Sequence, residues 1–368
     1  VFRTTESSID NSESGIGLVI TDQLGSTVVS PTRINTEQGG AQNQPSLTLL
    51  PDDKLLVTWT SYGQDGDHEH GIFGQILDAS GSKIGEEFNV NEPFFSSQTN
   101  SSSASLETGA ALIAWTSDHL QYTATKPGAG SQDVYSPESI VFRIQDTDTG
   151  SWLTDEVVLA APVQGEFGLS DSYDKPFVSA MSDGTFVVSW LVRDGGFSTS
   201  NSDYVYFSDP NQVAFQKVDT DGSLIGTASY IHVPNMAHSY DVQALADGSL
   251  AVVWEDTTQF TEVGSNGERK DYELYMQLLG PDLSPLGVPV DISAERGRVE
   301  NPDLVLIDQD TLAVGWSGYD RESGDNDNWI SLREIEVDYR PTMADQTIIV
   351  DQDQALGGSV VASDHNLG

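Results

Sequence analysis

The chain has no cysteine, so neither a disulfide framework nor a thiolate metal site is open to it, an absence that fits an exported bacterial protein as well as a cytosolic one. It is also poor in positive charge. Sixteen Lys and Arg stand against 57 Asp and Glu, a formal net charge of −41 over 368 residues. A surface of that sign repels phosphate and gains nothing from counterion release, which excludes nucleic acid and anionic lipid faces and leaves cations, neutral sugars and peptides. No run approaches the roughly 18 apolar residues of a membrane helix, so no membrane insertion is expected. Val1 opens on a polar stretch without a signal-peptide pattern, as in a domain excised from a longer chain. Convincing helical periodicity is missing throughout.

What is present suffices for a core. Apolar residues make up 37% of the chain and include 13 Phe, 12 Tyr and 7 Trp, which separates it from acidic disordered sequences.

An internal repeat organises those residues. Its first half is a short apolar strand, a tight turn and a β-rich strand ending in Trp: Pro45–Leu50, Asp52-Asp53, then Leu55–Trp59. It returns in the strands leading to Trp115, Trp190, Trp254 and Trp316, so the five tryptophans are 56, 75, 64 and 62 residues apart. One register of one buried strand explains them as packing residues. The second half is another hairpin, Ile72–Asp78 through Ser80-Gly81 to Ile84–Val90, with counterparts after each of the next three tryptophans. Asp-Gly pairs such as Asp221-Gly222 mark its turns. A further second half stands alone at Ile16–Ile34, and the first half ending at Trp316 is the other orphan.

Joining the two orphans gives an all-β fold: a five-bladed β-propeller with four-stranded blades, closed by both chain ends and filling residues 1–340. Trp329–Val337 also reads as a third strand, so the closing blade divides either two plus two or three plus one. Residues 341–368 are expected to form a linker and a C-terminal partial β-sandwich segment.

Two resemblances follow. The run Ala344–Asp364, with its strand Ile348-Ile349-Val350, the pair Gln352-Asp353, Gly357-Gly358 and Ala362-Ser363-Asp364, resembles the opening of cadherin-like immunoglobulin-fold repeats of giant bacterial surface proteins. That resemblance implies a position for Asp364 near calcium between modules. The propeller repeat, with its Leu-x-Asp-Gly-x-x-x-Val-x-Trp core, Gln64-Asp65-Gly66-Asp67 and Gly85-Glu86-Glu87-Phe88-Asn89-Val90-Asn91, resembles repeats in large repeats-in-toxin adhesins of marine bacteria. It implies a secreted, cell-surface protein in a calcium-rich setting, the domain being one monomeric part of a longer chain.

Loop lengths point to one face. The turns between strands 1 and 2, and between 3 and 4, are mostly short. The 2–3 connections, Thr60–Gly71, Thr116–Ser139, Leu191–Gln212, Glu255–Glu273 and Ser317–Asn328, are long and unlike one another. Loops on a rigid scaffold are where binding residues collect. Tyr62, His68, His70, Tyr122, Tyr135, Tyr204, Tyr206 and Trp329 are the candidates there for contact with a glycan or protein on a host or neighbouring cell, with Phe207 and Phe260 beside them. Asp65 and Asp67 around Gly66, and Asp325 and Asp327 after Gly324, stand at alternate positions as Ca2+ ligands do, although solvated acidic loops have the same composition. His68 and His70 are spaced to share a transition metal or simply to form a surface turn.

The function expected is therefore non-enzymatic adhesion or ligand binding through the long-loop face, dependent on Ca2+. The alternative is a five-bladed glycoside hydrolase-like enzyme using channel carboxylates, with Asp174, Asp241 and Asp303 at first-strand starts as its candidates.

Overall fold

A computed structural model describes the chain apart from residues 6–13, 23, 38, 65–68, 93–96, 119–121, 124–133, 136–137, 162–163, 166–167, 170, 198–204, 208–211, 234–238, 262–268, 294–297, 309–310, 320–327, 338–345, 351–358 and 365–368. Within the described residues the protein is built from strands, arranged as successive antiparallel meanders.

Blade 1 comprises β1 (Phe2–Thr4), β2 (Gly15–Thr21) and β3 (Thr27–Arg33). Blade 2 comprises β4 (Gln42–Leu49), β5 (Leu55–Tyr62), β6 (His70–Leu77) and β7 (Lys83–Asn89). In blade 3, β8 (Gln98–Ser105) and β9 (Ala110–Ser117) are followed by a small hairpin of β10 (Tyr122–Thr123) and β11 (Val134–Tyr135), then by β12 (Ser139–Asp146) and β13 (Val157–Ala160). A two-residue ladder of β14 (Gln164–Gly165) and β15 (Gly168–Leu169) leads to blade 4, with β16 (Asp171–Ala180), β17 (Phe186–Phe197), β18 (Val205–Phe207), β19 (Gln212–Val218) and β20 (Leu224–His232). Blade 5 holds β21 (Tyr240–Ala244), β22 (Leu250–Thr261), β23 (Arg269–Leu279) and β24 (Pro285–Asp291). Blade 6 holds β25 (Arg298–Leu306), β26 (Thr311–Tyr319) and β27 (Asn328–Glu336), extended by β28 (Gln346–Val350) and β29 (Ser359–Asp364).

The fold is thus a six-bladed propeller with blades of three or four strands, and the expectation of five blades is corrected. The two orphan hairpins do not share a sheet, because each finds its missing strand locally. β1 pairs with β2 from Phe2↔Gly17 to Thr4↔Gly15, and the Phe2 ring lies over Gly17, where a Cβ would sit 2.6 Å from its Cζ. β27 pairs with β26 through nine consecutive residues, Thr311↔Glu336 to Tyr319↔Asn328. A partner at short sequence separation closes a shorter loop than one at the far end of the chain and costs less entropy. The expected C-terminal sandwich is corrected too: β29 runs parallel to β27 and β28 pairs with β29, so both extend blade 6.

By contacts the chain divides into two compact units, residues 1–180, 184–208 and 216–228 in one and 181–183, 209–215 and 229–368 in the other. In the first unit the second strands β5 and β9 bury both faces, Thr and Ser included, while β7, at a blade's outer edge, is mostly exposed. In the first unit Ile16, Leu18 and Ile34 of blade 1 pack on Val57, Trp59 and Phe73 of blade 2. Leu56 and Ile72 of blade 2 pack on Ile113 and Trp115 of blade 3. In the second unit Val253 and Met276 of blade 5 meet Val314 and Trp316 of blade 6. Trp59, Trp115, Trp190, Trp254 and Trp316 are all 3% exposed or less, as packing residues should be.

Polar repeats lock the blades. Asn35 and Asn91 each accept a backbone N–H from a strand of their own blade, Ile16 at 2.8 Å and Ile72 at 2.7 Å. Each then donates to a buried Gln seven residues on, Gln42 at 3.1 Å and Gln98 at 3.2 Å, at the start of the next blade. Gln75, Gln216 and Gln277, at one position of the equivalent inner strands of blades 2, 4 and 5, donate to carbonyls across the following hairpin, for example Ile84 at 3.1 Å and Ile225 at 2.8 Å. Asp78 ties its hairpin turn by accepting from the Ser80 and Ser82 amides, and Gly81 supplies the left-handed φ of 80° that this turn requires.

Candidate functional site

The first strands of blades 2, 3, 4 and 6 share a β-bulge that the sequence pattern did not announce. Pairing skips between Asn43 and Ser46, Thr99 and Ser102, Asp174 and Phe177, and Glu300 and Asp303. In each skip one residue is left-handed: Gln44 at φ 50°, Asn100 at 55°, Lys175 at 50° and Asn301 at 54°. Pro45, Pro176 and Pro302 follow three of them, which disfavours compact conformations at the preceding residue. Left-handed non-glycine residues cost of order 1–3 kcal/mol and gather where strain serves a site, and bulges re-aim side chains at such places.

In the first unit the bulges align a polar chain across three blades. Thr60 Oγ1 donates to Gln44 Oε1 at 2.8 Å, and Gln44 Nε2 donates to Asn100 Oδ1 at 2.5 Å. Asn100 Nδ2 donates to Asp174 Oδ1 at 3.1 Å. Asp174, 9% exposed, also accepts from the Lys175 amide at 2.6 Å and Thr116 Oγ1 at 3.5 Å, while Arg193 Nη2 sits 3.5 Å from Oδ2. Each of these partners donates, so both oxygens of Asp174 are engaged as acceptors.

Beside it stands Glu138, at the entry to β12. Its amide donates to Ser172 Oγ at 3.3 Å and its carbonyl accepts from the Tyr173 amide at 3.1 Å, fixing it next to the Asp174 strand. Burial, and then the Asp174 charge, push the Glu138 carboxyl up to about 7, with Arg193 acting in the opposite direction and Asp118 adding to the rise. One carboxyl ringed by donors and a neighbour that holds its proton near neutrality are the two unequal members that acid–base chemistry needs.

The repeat shows where the surrounding groups come from. The third residue after the second-strand tryptophan is Tyr62 in blade 2, Asp118 in blade 3 and Arg193 in blade 4. Tyr62 pairs with His70 across β5 and β6, and Asp118 and Glu138 lie one residue beyond the equivalent pair Ser117↔Ser139 of β9 and β12. One structural position thus carries an aromatic, an acid and a base in three adjacent blades. They are linked: the Tyr62 and His70 rings meet edge to face at 5.2 Å, His70 Nδ1 is 3.0 Å from Ser97 Oγ, and the Ser97 amide donates to Asp118 Oδ1 at 2.5 Å.

Of the residues singled out from sequence, the structure brings Tyr62 and His70 together at this site and makes Asp174 its centre. Tyr122 and Tyr135 pair in register in the β10–β11 hairpin, Tyr206 pairs with Gly196, and Trp329 pairs with Gly318. His68, Tyr204, Asp65, Asp67, Asp325 and Asp327 lie outside the described residues. Among the described residues no group of three or more His, Asp or Glu is arranged to hold a metal ion.

Asp241 and Asp303 form a separate pair in the second unit. Asp241 accepts from the Val242 amide at 2.8 Å and the Leu304 amide at 2.6 Å, tying the first strand of blade 5 to that of blade 6. Burial chiefly raises its pKa, with Asp303 adding to the rise. Both its oxygens are engaged by backbone, which makes it a strut between blades. Glu138, Asp118, Arg193, Asn100 and Gln44 were not among the sequence candidates, although aligning the residues after each tryptophan finds Asp118 and Arg193.

No family model and no curated protein sequence matches the chain. Among solved structures it is similar to the alpha-L-arabinanase of Penicillium chrysogenum complexed with arabinobiose, with a TM-score of 0.52 at 13% identity over 89% of this chain and 86% of that one. It is also similar to the alpha-L-arabinofuranosidase of Fusarium graminearum in complex with an iminosugar inhibitor, with a TM-score of 0.50 at 13% identity over 86% and 83%. At that identity the likeness establishes the fold. Both of these chains sharing its fold are glycoside hydrolases, which tells against the expectation of a non-enzymatic domain.

Proposed function

We propose that the protein hydrolyses glycosidic bonds, with Glu138 as proton donor and Asp174 as its carboxylate partner. The observation carrying this reading is their juxtaposition on adjacent blades, with burial and the Asp174 charge raising Glu138 while hydrogen-bond donors engage Asp174. Glycoside hydrolysis passes through an oxocarbenium-like state between two carboxyl groups. Glu138, protonated up to about pH 7, transfers its proton to the departing glycosidic oxygen as the bond to the anomeric carbon breaks. Asp174 faces the positive charge developing on the sugar and acts in the same displacement, either by taking a proton from the water that attacks the anomeric carbon, or by attacking that carbon itself, in which case a water deprotonated by Glu138 then cleaves the glycosyl ester and frees Asp174. Arg193, Asn100 and the Lys175 amide hold its oxygens in place. The glycan expected from sequence as a bound partner is, on this reading, the substrate, and the names of the two similar structures make arabinose-containing polysaccharides the first to try.

The test separates the two roles by leaving group. Polysaccharides including linear arabinan, and nitrophenyl glycosides of the matching sugar, are offered to the wild type, Glu138→Gln and Asp174→Asn. Glu138→Gln is expected to lose about 10²–10⁴-fold on the polysaccharide but much less on the nitrophenyl glycoside, whose leaving group needs no proton. Asp174→Asn is expected to lose on both. Absence of turnover on every substrate, or equal losses by Glu138→Gln on both kinds, counts against the proposal.

A further inference from the structure

We infer that Tyr62 and His70 form a sugar-stacking subsite beside the Glu138–Asp174 pair, so that the protein acts on oligosaccharide chains and not only on a terminal sugar; this rests on the proposed hydrolase reading.

Tyr62 occupies in blade 2 the position that Asp118 occupies in blade 3 and Arg193 in blade 4, the third residue after the buried tryptophan. In blades 3 and 4 that position contributes to the carboxylate cluster, so in blade 2 it lies one blade along the same rim. A large aromatic there is 42% exposed, unlike the tryptophan three residues earlier, which is fully buried. A half-exposed aromatic body held rigidly is what a sugar face stacks upon.

The ring has one aromatic neighbour and its backbone is fixed on both sides. His70 meets it edge to face at 5.2 Å with a 61° interplanar angle, and the Tyr62 amide donates to the Ala41 carbonyl at 3.0 Å. The next residue, Gly63, is left-handed at φ 70° with open space where a Cβ would project, and its amide donates to the Glu69 carbonyl at 2.7 Å, turning the chain back toward His70. Gln64, which accepts from Ser61 Oγ at 2.7 Å, also donates to Glu87. His70 is fixed in turn by Ser97 Oγ at 3.0 Å, and Ser97 pairs both ways with Asp118: its amide donates to Oδ1 and its carbonyl accepts from the Asp118 amide at 3.1 Å. The platform is therefore anchored to the residue that faces Glu138, at a fixed offset from the bond to be broken. A sugar ring on Tyr62 places the adjoining linkage toward Glu138.

The experiment uses the whole chain with Tyr62→Ala, Tyr62→Trp and wild type. Arabino-oligosaccharides of increasing length are hydrolysed, and mobility is measured separately in gels containing linear arabinan. In the wild type kcat/KM rises with chain length. In Tyr62→Ala that rise is expected to shrink by about tenfold, the size of one aromatic stacking contact, and gel retardation to weaken, while Tyr62→Trp restores both. An unaltered length dependence together with unaltered retardation in Tyr62→Ala overturns the subsite. Retardation that depends on Tyr62 without turnover by any variant sustains the subsite and counts against the hydrolase reading, so the two fail separately.

Discussion

Replacing Glu138 by Gln gives a quantitative check on the environment assigned to the proton donor. Burial and the neighbouring Asp174 raise this carboxyl from the ordinary Glu value of 4.5 to about 7. A raised carboxyl means that the folded state binds more protons than the unfolded chain between those two pH values, so stability falls as pH rises through that window. Each pH unit inside the window costs at most about 1.4 kcal/mol, so the whole loss from this group is no more than about 3.5 kcal/mol. Gln fills the same volume without ionising. The variant should therefore match the wild type near pH 4.5 and exceed it by up to about 3.5 kcal/mol at pH 8, less whatever the Gln amide loses against Arg193. For a unit of roughly 200 residues this amounts to about 2–4 °C in Tm per kcal/mol. Thermal or urea unfolding of both proteins at pH 4.5, 6 and 8 reads the difference directly. Parallel pH profiles for the two proteins would refute the buried, protonated Glu138 on which the mechanism depends.

Other outcomes follow from the same structure. Trp59→Ala is expected to cost about 3–5 kcal/mol by urea unfolding, because the ring is fully buried between blades 1 and 2, while Trp59→Phe should cost less since the indole N–H makes no hydrogen bond among the described residues. Gly184→Ala and Gly222→Ala both force a left-handed alanine at φ 83°, at about 1–2 kcal/mol each, but only at Gly222 would the new Cβ meet Thr154 Cγ2 at 2.9 Å; the latter should be clearly the less stable variant in urea melts. Asn100→Ala removes the amide that links Gln44 to Asp174, and is expected to lower kcat more than it raises KM, with Asn100→Asp failing to restore it because it sets a second carboxylate against the first.

Much of the fold was legible because strand pairs joined by Asp-Gly turns, each with a tryptophan at one register, carry a strong periodic signal. The blade count was not. β1 is three residues long and lies well before its partner strand, too short to show alternation, and its anchorage, Phe2 over Gly17, is a tertiary contact. Trp329–Val337 was visible as a strand, but its role as the third strand of an independent sheet depends on its pairing with β26 along nine residues, which no local pattern reports. Of the candidate site, Tyr62, His70 and Asp174 could be named from the sequence, the first two at strand ends bordering a long 2–3 connection and Asp174 at a first-strand start. Glu138 could not be picked out among 57 acidic residues, since its distinguishing property is burial against Asp174, which the surrounding sequence does not encode. The bulges that orient Gln44 and Asn100 were equally hidden, because a one-residue slip in pairing leaves the strand composition unchanged.

The net charge of −41 acquires a more specific meaning beside this site. Most of the acids border turns and loops, where they are hydrated. Two of the buried ones, Asp174 and Asp241, are held by backbone amides, and Asp174 by Arg193 as well. An acidic exterior is compatible with a neutral glycan, which brings no charge to repel.

The most direct measurement is the release of reducing ends from linear arabinan and a panel of other neutral polysaccharides by the purified chain, followed from pH 4 to pH 9 beside Glu138→Gln and Asp174→Asn. Turnover is expected on at least one polysaccharide, declining as pH rises through about 7 where Glu138 loses its proton, and lost in both variants. Turnover that persists in both variants, or none from the wild type on any polysaccharide, would contradict it.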